Sequence, residues 1–166
     1  MKPHQFKQLL FSLGLAGSFC VTGVGLASGT VLDKDMVERG RYIAKIAGCN
    51  DCHTPNYLHL EGNVPIQLWL SGDTFGWRGP WGTTYGSNLR LFVSGMNENE
   101  WVQTAKTLQR LPPMPWFNLN AMAEQDLRAL YQFMISLGDP GEPAPVYLPS
   151  NEDPDTPYAL FPSPPE

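Results

Sequence analysis

The sequence predicts a small, mostly α-helical domain with long loops and an extended proline-rich tail. Three observations carry this reading. Three segments repeat apolar residues at helical spacing and begin or end on capping residues. No run of useful length alternates apolar and polar residues as a strand does. Residues 139–166 hold nine prolines and few apolar side chains, which supports neither a helix nor a second core. At 166 residues the chain has the length of a single domain.

Residues 1–27 carry Lys2 and Lys7 ahead of an apolar stretch from Leu9 to Leu26, with no acidic residue. Gly25-Leu26-Ala27 sets small residues at the −3 and −1 positions of a cleavage site. This predicts a signal peptide over 1–27 and export to the periplasm. The stretch approaches spanning length, but its four glycines favour cleavage over anchoring. Phe19 before Cys20 does not suit lipid attachment.

The domain is expected over residues 28–138. Its first helix runs from about Asp33, the N-cap, to Ala47, with Met36, Val37, Ile43, Ala44 and Ile46 as the buried stripe. Gly40 sits inside it, where glycine costs about 1 kcal/mol against alanine, so a close helix crossing is expected there. A second helix covers Glu98 to Leu108 behind the N-cap Asn97, with Trp101, Val102, Ala105 and Leu108 on one side. A third runs from Ala123 to Leu137 and stops at Gly138; its apolar face is Leu127, Leu130, Tyr131, Met134 and Ile135. The Gly- and Trp-rich region from Glu61 to Asn88 reads as loops with at most one short helix.

Directly after the first helix comes Cys49-Asn50-Asp51-Cys52-His53, a C-x-x-C-H motif. This spacing is that of covalent haem c attachment. Two thiols three residues apart on a helical turn add to the two vinyl groups of one porphyrin, and the next residue supplies the proximal imidazole. A zinc site would need a second Cys/His pair, which the chain lacks. A thioredoxin-like pair would need a βαβ setting, which is not seen. Loss of residues 1–27 removes Cys20, so Cys49 and Cys52 are then the only cysteines, and no disulfide framework is left. Haem c is attached outside the cytoplasm, which agrees with export.

Without Lys2 and Lys7 the chain keeps nine basic and 16 acidic residues, net −7. That makes nucleic acid an implausible partner and a basic docking surface on another redox protein a plausible one.

The order of helix with Gly40, C-x-x-C-H, loops, Pro113-Met114-Pro115-Trp116, then a helix with Leu127 and Tyr131 resembles the class I c-type cytochromes. The resemblance covers about Asp33 to Leu137. It implies a mono-haem electron carrier, not an enzyme, whose helices pack around one covalent haem. It also implies that Gly40 and Tyr131 meet where the first and last helices cross. Cys49-x-x-Cys52-His53-Thr54-Pro55, the Pro-Met-Pro-Trp loop and Tyr85-Gly86-Ser87-Asn88 are similar to cytochrome domains that serve periplasmic dehydrogenases. Many of those carry three C-x-x-C-H motifs; this chain has one. Redox partners implied are a periplasmic dehydrogenase or a terminal oxidase.

Five methionines remain as candidate sixth ligands of the iron. Met36 and Met134 lie on core faces, Met96 and Met122 near helix starts. Met114, between two prolines, is the strongest, because fixed φ values hold its thioether with little entropy left to lose. His/Met ligation raises the potential and closes both axial positions. An open sixth site would instead make the chain a haem enzyme or gas sensor. A subunit of a dehydrogenase complex is the third reading. Pro65, or less readily Pro55, is the candidate carbonyl for the second imidazole nitrogen of His53. Tryptophans between Trp69 and Trp116 are candidates for lining the haem or binding its propionates, and Arg78 and Arg90 for neutralising a propionate. The tail is expected to lie extended on the domain.

Overall fold

The structure is a computed structural model that describes residues 31–162. The segment read as a signal peptide lies outside the described residues. The described chain forms one compact unit of six α-helices and a small three-stranded sheet. A mostly α class accommodates it.

The helices are α1 (Lys34–Ile46), α2 (Cys49–His53), α3 (Leu89–Val93), α4 (Glu98–Thr107), α5 (Trp116–Ala121) and α6 (Glu124–Ser136). Asp33 caps α1, its carboxylate accepting from the Asp35 and Met36 amides at 2.9 and 3.1 Å. A reciprocal capping box starts α4: Asn97 Oδ1 accepts from the Glu100 amide at 3.1 Å, and Glu100 Oε2 accepts from the Asn97 amide at 2.8 Å. Such caps satisfy amides that have no partner within the helix.

α1 and α6 pack most extensively against each other, and Gly40 is where they come closest. A Cβ built on Gly40 would stand 2.0 Å from the Ala129 carbonyl oxygen and 2.6 Å from Phe133 Cβ. The crossing partners are therefore Ala129 and Phe133, not Tyr131 as the resemblance implied. Tyr131 lies two residues from each and points elsewhere, its hydroxyl donating to the Met96 carbonyl at 2.8 Å. Leu127, Leu130, Phe133 and Met134 of α6 are buried with Val93, Trp101 and Leu70. Trp101 closes this core by donating its indole N–H to the Leu127 carbonyl at 2.8 Å. Ile46, expected in the buried stripe, is 62% exposed; it is the last residue of α1, beyond the reach of α6.

The sheet was not expected. Its strands are β1 (Gly76–Gly79), β2 (Gly82–Tyr85) and β3 (Tyr158–Leu160), in the order β2-β1-β3. β1 pairs antiparallel with β2 through Gly76↔Tyr85, and parallel with β3 through Gly76↔Tyr158. Strands of three or four residues, with glycine at positions 76, 79 and 82, are too short for alternation to register. β3 comes from the proline-rich tail and exists only because β1 offers it an edge.

The tail is tied down by three side chains of the domain. Arg78 donates to the carbonyls of Ser150 and Glu152 at 3.1 and 2.6 Å and to the Asp153 carboxylate at 3.0 Å. Arg90 is 7% exposed and donates to the carbonyls of Gln67, Trp69 and Asp139 at 2.6, 2.8 and 3.3 Å. Asn88 Nδ2 donates to the Pro140 and Glu142 carbonyls. Both arginines named as candidates for a propionate thus have their donors engaged, those of Arg90 by backbone carbonyls and those of Arg78 by carbonyls, the Asp153 carboxylate and the Thr83 hydroxyl.

Replacing Gly40 with alanine gains about 1 kcal/mol of helix propensity but drives a methyl group into a backbone carbonyl. The expected net effect is a loss of about 1–3 kcal/mol, read as a lower urea midpoint. A raised midpoint would show that the crossing is not limiting.

Candidate haem-attachment site

α2 is one helical turn, and it places Cys49, Cys52 and His53 together. Gly48, with φ 70°, ends α1 and turns the chain into it. The residues between the thiols also have structural work. Asn50 is fully buried; its Oδ1 accepts from Thr54 Oγ1 at 2.7 Å, and Thr54 Oγ1 in turn accepts from the Leu70 amide at 2.7 Å. This pair fixes the end of the turn against the core. No sequence signal pointed to Asn50.

His53 is 8% exposed. Its Nδ1 lies 2.7 Å from the Ser87 carbonyl oxygen. Only an Nδ1–H can use that acceptor, which selects the tautomer whose Nε2 carries a free lone pair. Nε2 makes no hydrogen bond among the described residues. The acceptor is Ser87, 34 residues away, and not Pro65. The Pro65 carbonyl instead accepts from the Leu68 amide at 2.9 Å, within a 3₁₀ turn. Burial lowers the His53 pKa below its ordinary value, partly offset by the bond to Ser87, so the ring is neutral at pH 7.

Ser87 can reach His53 because Gly86 has no side chain. A Cβ on Gly86 would stand 1.6 Å from the Cys52 carbonyl oxygen and 3.3 Å from the His53 amide nitrogen. The backbone of residues 86–87 thus lies directly on α2. Two further bonds hold this contact: the Gly72 amide donates to the His53 carbonyl at 2.8 Å, and the Asp73 amide to the Gly86 carbonyl at 2.9 Å.

Cys49 and Cys52 are not joined to each other. Burial, with Asp51 nearby, pushes the Cys49 thiol up to about 12; burial, with Asp51 and Asp73, pushes Cys52 up to about 11. Both stay protonated at neutral pH. A thioredoxin-type pair needs the opposite, a thiol pKa lowered toward neutrality. Among the described residues no group of three or more His, Cys, Asp or Glu side chains is arranged to hold a metal ion.

Met114 lies half-buried in the loop between α4 and α5, packed against the core. Thr84 Oγ1 anchors that loop by donating to the Pro112 carbonyl at 2.8 Å. Thr84 is in β2, three residues before Ser87, so one short segment serves both the His53 turn and the Met114 loop. Of the other methionines, Met134 is buried in the core, while Met36, Met96 and Met122 are half-buried.

Trp77 pairs with Thr84 across the sheet. Paired residues share a face, so Trp77 stands on the side that meets the Met114 loop. Phe161 packs against both Trp77 and Trp81, with ring centroids 6.1 and 5.3 Å apart. Trp69 and Trp101 donate their indole N–H groups to protein carbonyls. The Trp81 indole nitrogen Nε1 and the Asn50 amide nitrogen Nδ2 are buried without a partner among the described residues.

No family model, curated protein or solved structure matches the chain. What the site can do follows from its own chemistry. It offers two neutral thiols and an imidazole with one free, oriented lone pair on a single turn. The loop that carries the Met114 thioether is held by Thr84 of β2, and a buried, unpartnered indole donor, Trp81, lies in the turn between β1 and β2.

The lowered His53 pKa sets the sign of a pH dependence. Below about pH 6.5 the unfolded chain binds a proton that the native ring refuses. The His53 contribution to stability is therefore complete above that pH and is lost as pH falls through the native pKa. In the haem-free chain the unfolding midpoint is expected to drop as pH falls below about 6.5, and to drop less in His53→Gln. An equal drop in both proteins would contradict this.

Proposed function

We propose that the chain is an exported, mono-haem class I cytochrome c that carries single electrons between redox partners. The observation that carries this reading is the C-x-x-C-H turn with His53 Nδ1 bonded to the Ser87 carbonyl, which leaves Nε2 free to ligate. A ligating imidazole characteristically gives its other nitrogen to such an acceptor.

Cys49 and Cys52 would hold the haem as thioethers, with His53 and Met114 as axial ligands. The haem, when bound, supplies a one-electron ferric/ferrous couple. Around it this chain's residues hold and exclude. Burial of His53 keeps the imidazole neutral and away from water. The Ser87 carbonyl fixes its orientation and raises its basicity. Thr84 restrains the Met114 loop. A Met114 thioether and the His53 imidazole, if both held the iron, would favour the ferrous state and a high potential and would leave no position for oxygen or peroxide. The unpartnered Trp81 indole N–H suits an acidic group such as a propionate, whereas Arg78 and Arg90 are already engaged. Partners are other redox proteins, among them a periplasmic dehydrogenase or terminal oxidase, and the acidic chain suits a basic docking face.

Met114 decides between this role and small-molecule chemistry. The ferric protein is expected to be low-spin with a weak far-red sulfur-to-iron band, and the ferrous protein to ignore carbon monoxide. Met114→Ala removes the band, lowers the potential and admits carbon monoxide. If wild-type ferrous protein binds carbon monoxide as fast as Met114→Ala, the carrier role fails and an open-site haem enzyme or sensor replaces it.

A further inference from the structure

We propose that the first part of the tail, residues 140–144, is the outer support of the His53 imidazole, acting through Asn88 as a positioning residue. The geometry is independent of the proposed function; its meaning for a ligand rests on that reading.

Asn88 follows Ser87 directly, so whatever fixes Asn88 also fixes the carbonyl that holds His53. Its side chain is 4% exposed and is engaged at both ends. Oδ1 accepts from the Leu91 amide at 3.0 Å and so caps α3. Nδ2 donates to the Pro140 carbonyl and to the Glu142 carbonyl, the latter at 2.9 Å. The tail makes a second approach at Gly72, the residue whose amide holds the His53 carbonyl. A Cβ on Gly72 would stand 2.9 Å from the Asn88 nitrogen, 3.1 Å from Ala144 Cβ and 3.1 Å from the Gly86 carbonyl oxygen. Gly72 is thus enclosed between the tail and the segment that carries Ser87. Two contacts from 140–144 therefore bear on the two backbone groups that hold His53, one on its ring and one on its carbonyl. The distal tail does not: Arg78 binds Ser150, Glu152 and Asp153, at the sheet.

The test follows the His53 Nδ1–H proton by nitrogen-15-edited NMR in the full-length protein as purified, with or without haem. Asn88→Asp keeps an acceptor for the α3 cap but turns a carboxylate toward the Pro140 and Glu142 carbonyls. Exchange of the His53 proton with solvent is expected to quicken about tenfold, the effect of losing two hydrogen bonds. Truncation after Gly138 should do the same. Asp153→Ala, which removes only the distal tail's ion pair with Arg78, should leave it unchanged. Wild-type exchange in both Asn88→Asp and the truncated chain would overturn the proposal. So would an equal effect from Asp153→Ala, which would reduce it to general loosening. Absence of haem from the wild-type protein would count against the proposed function while leaving this measurement intact.

Discussion

The bond from His53 Nδ1 to the Ser87 carbonyl, 2.7 Å long, is the interaction on which the rest of the arrangement depends. It joins α2 to a segment that also holds the tail, the Met114 loop and the start of α3. Thr83 bridges to Leu148 of the tail, Thr84 holds the Met114 loop, Gly86 lies on the Cys52 carbonyl, and Asn88 caps α3 while binding the tail. Six consecutive residues, 83–88, thus fix the orientation of one imidazole, the anchorage of the candidate thioether and the seat of the tail. The whole depends on Gly86, since any side chain there would collide with backbone, which cannot yield as a flexible side chain can.

Charge is handled in the same economical way. Arg90 is largely desolvated, and burial lowers its pKa from the ordinary value, partly offset by Asp139. A buried guanidinium without partners would be very costly. Here its fork is filled by carbonyls from the loop before the sheet and from the start of the tail. Arg78 binds the middle of the tail through the Ser150 and Glu152 carbonyls and the Asp153 carboxylate. The tail therefore supplies acceptors rather than apolar surface. This explains how a segment so rich in proline, and so poor in buried side chains, is held in place.

Much of this was legible in the sequence where the signal was local. Asp33, Asn97 and Gly138 marked helix ends because caps act within a few residues, and the helical stripes of α4 and α6 are the faces that are buried. The C-x-x-C-H turn was legible for the same reason. What depended on distant partners was not. Pro65 was the expected acceptor for His53, but nothing in the sequence relates position 53 to position 87. Tyr85-Gly86-Ser87-Asn88 stood out as a segment, while the reason for its glycine lay in the Cys52 carbonyl. The aromatic at the Gly40 crossing was misassigned by two residues, because both Tyr131 and Phe133 sit on the apolar side of α6 and only packing decides which meets α1. β3 could not be read from three residues of a proline-rich tail, since its pairing is supplied by β1.

The central claim is that Cys49 and Cys52 together hold one haem. The decisive measurement is the mass of the exported protein under denaturing conditions, after expression in a host that exports the chain and attaches haem c. The expected product is a coloured polypeptide that keeps its colour through acid–acetone extraction and exceeds the mass of the cleaved chain by one haem. A colourless polypeptide with the mass of the chain alone would contradict it.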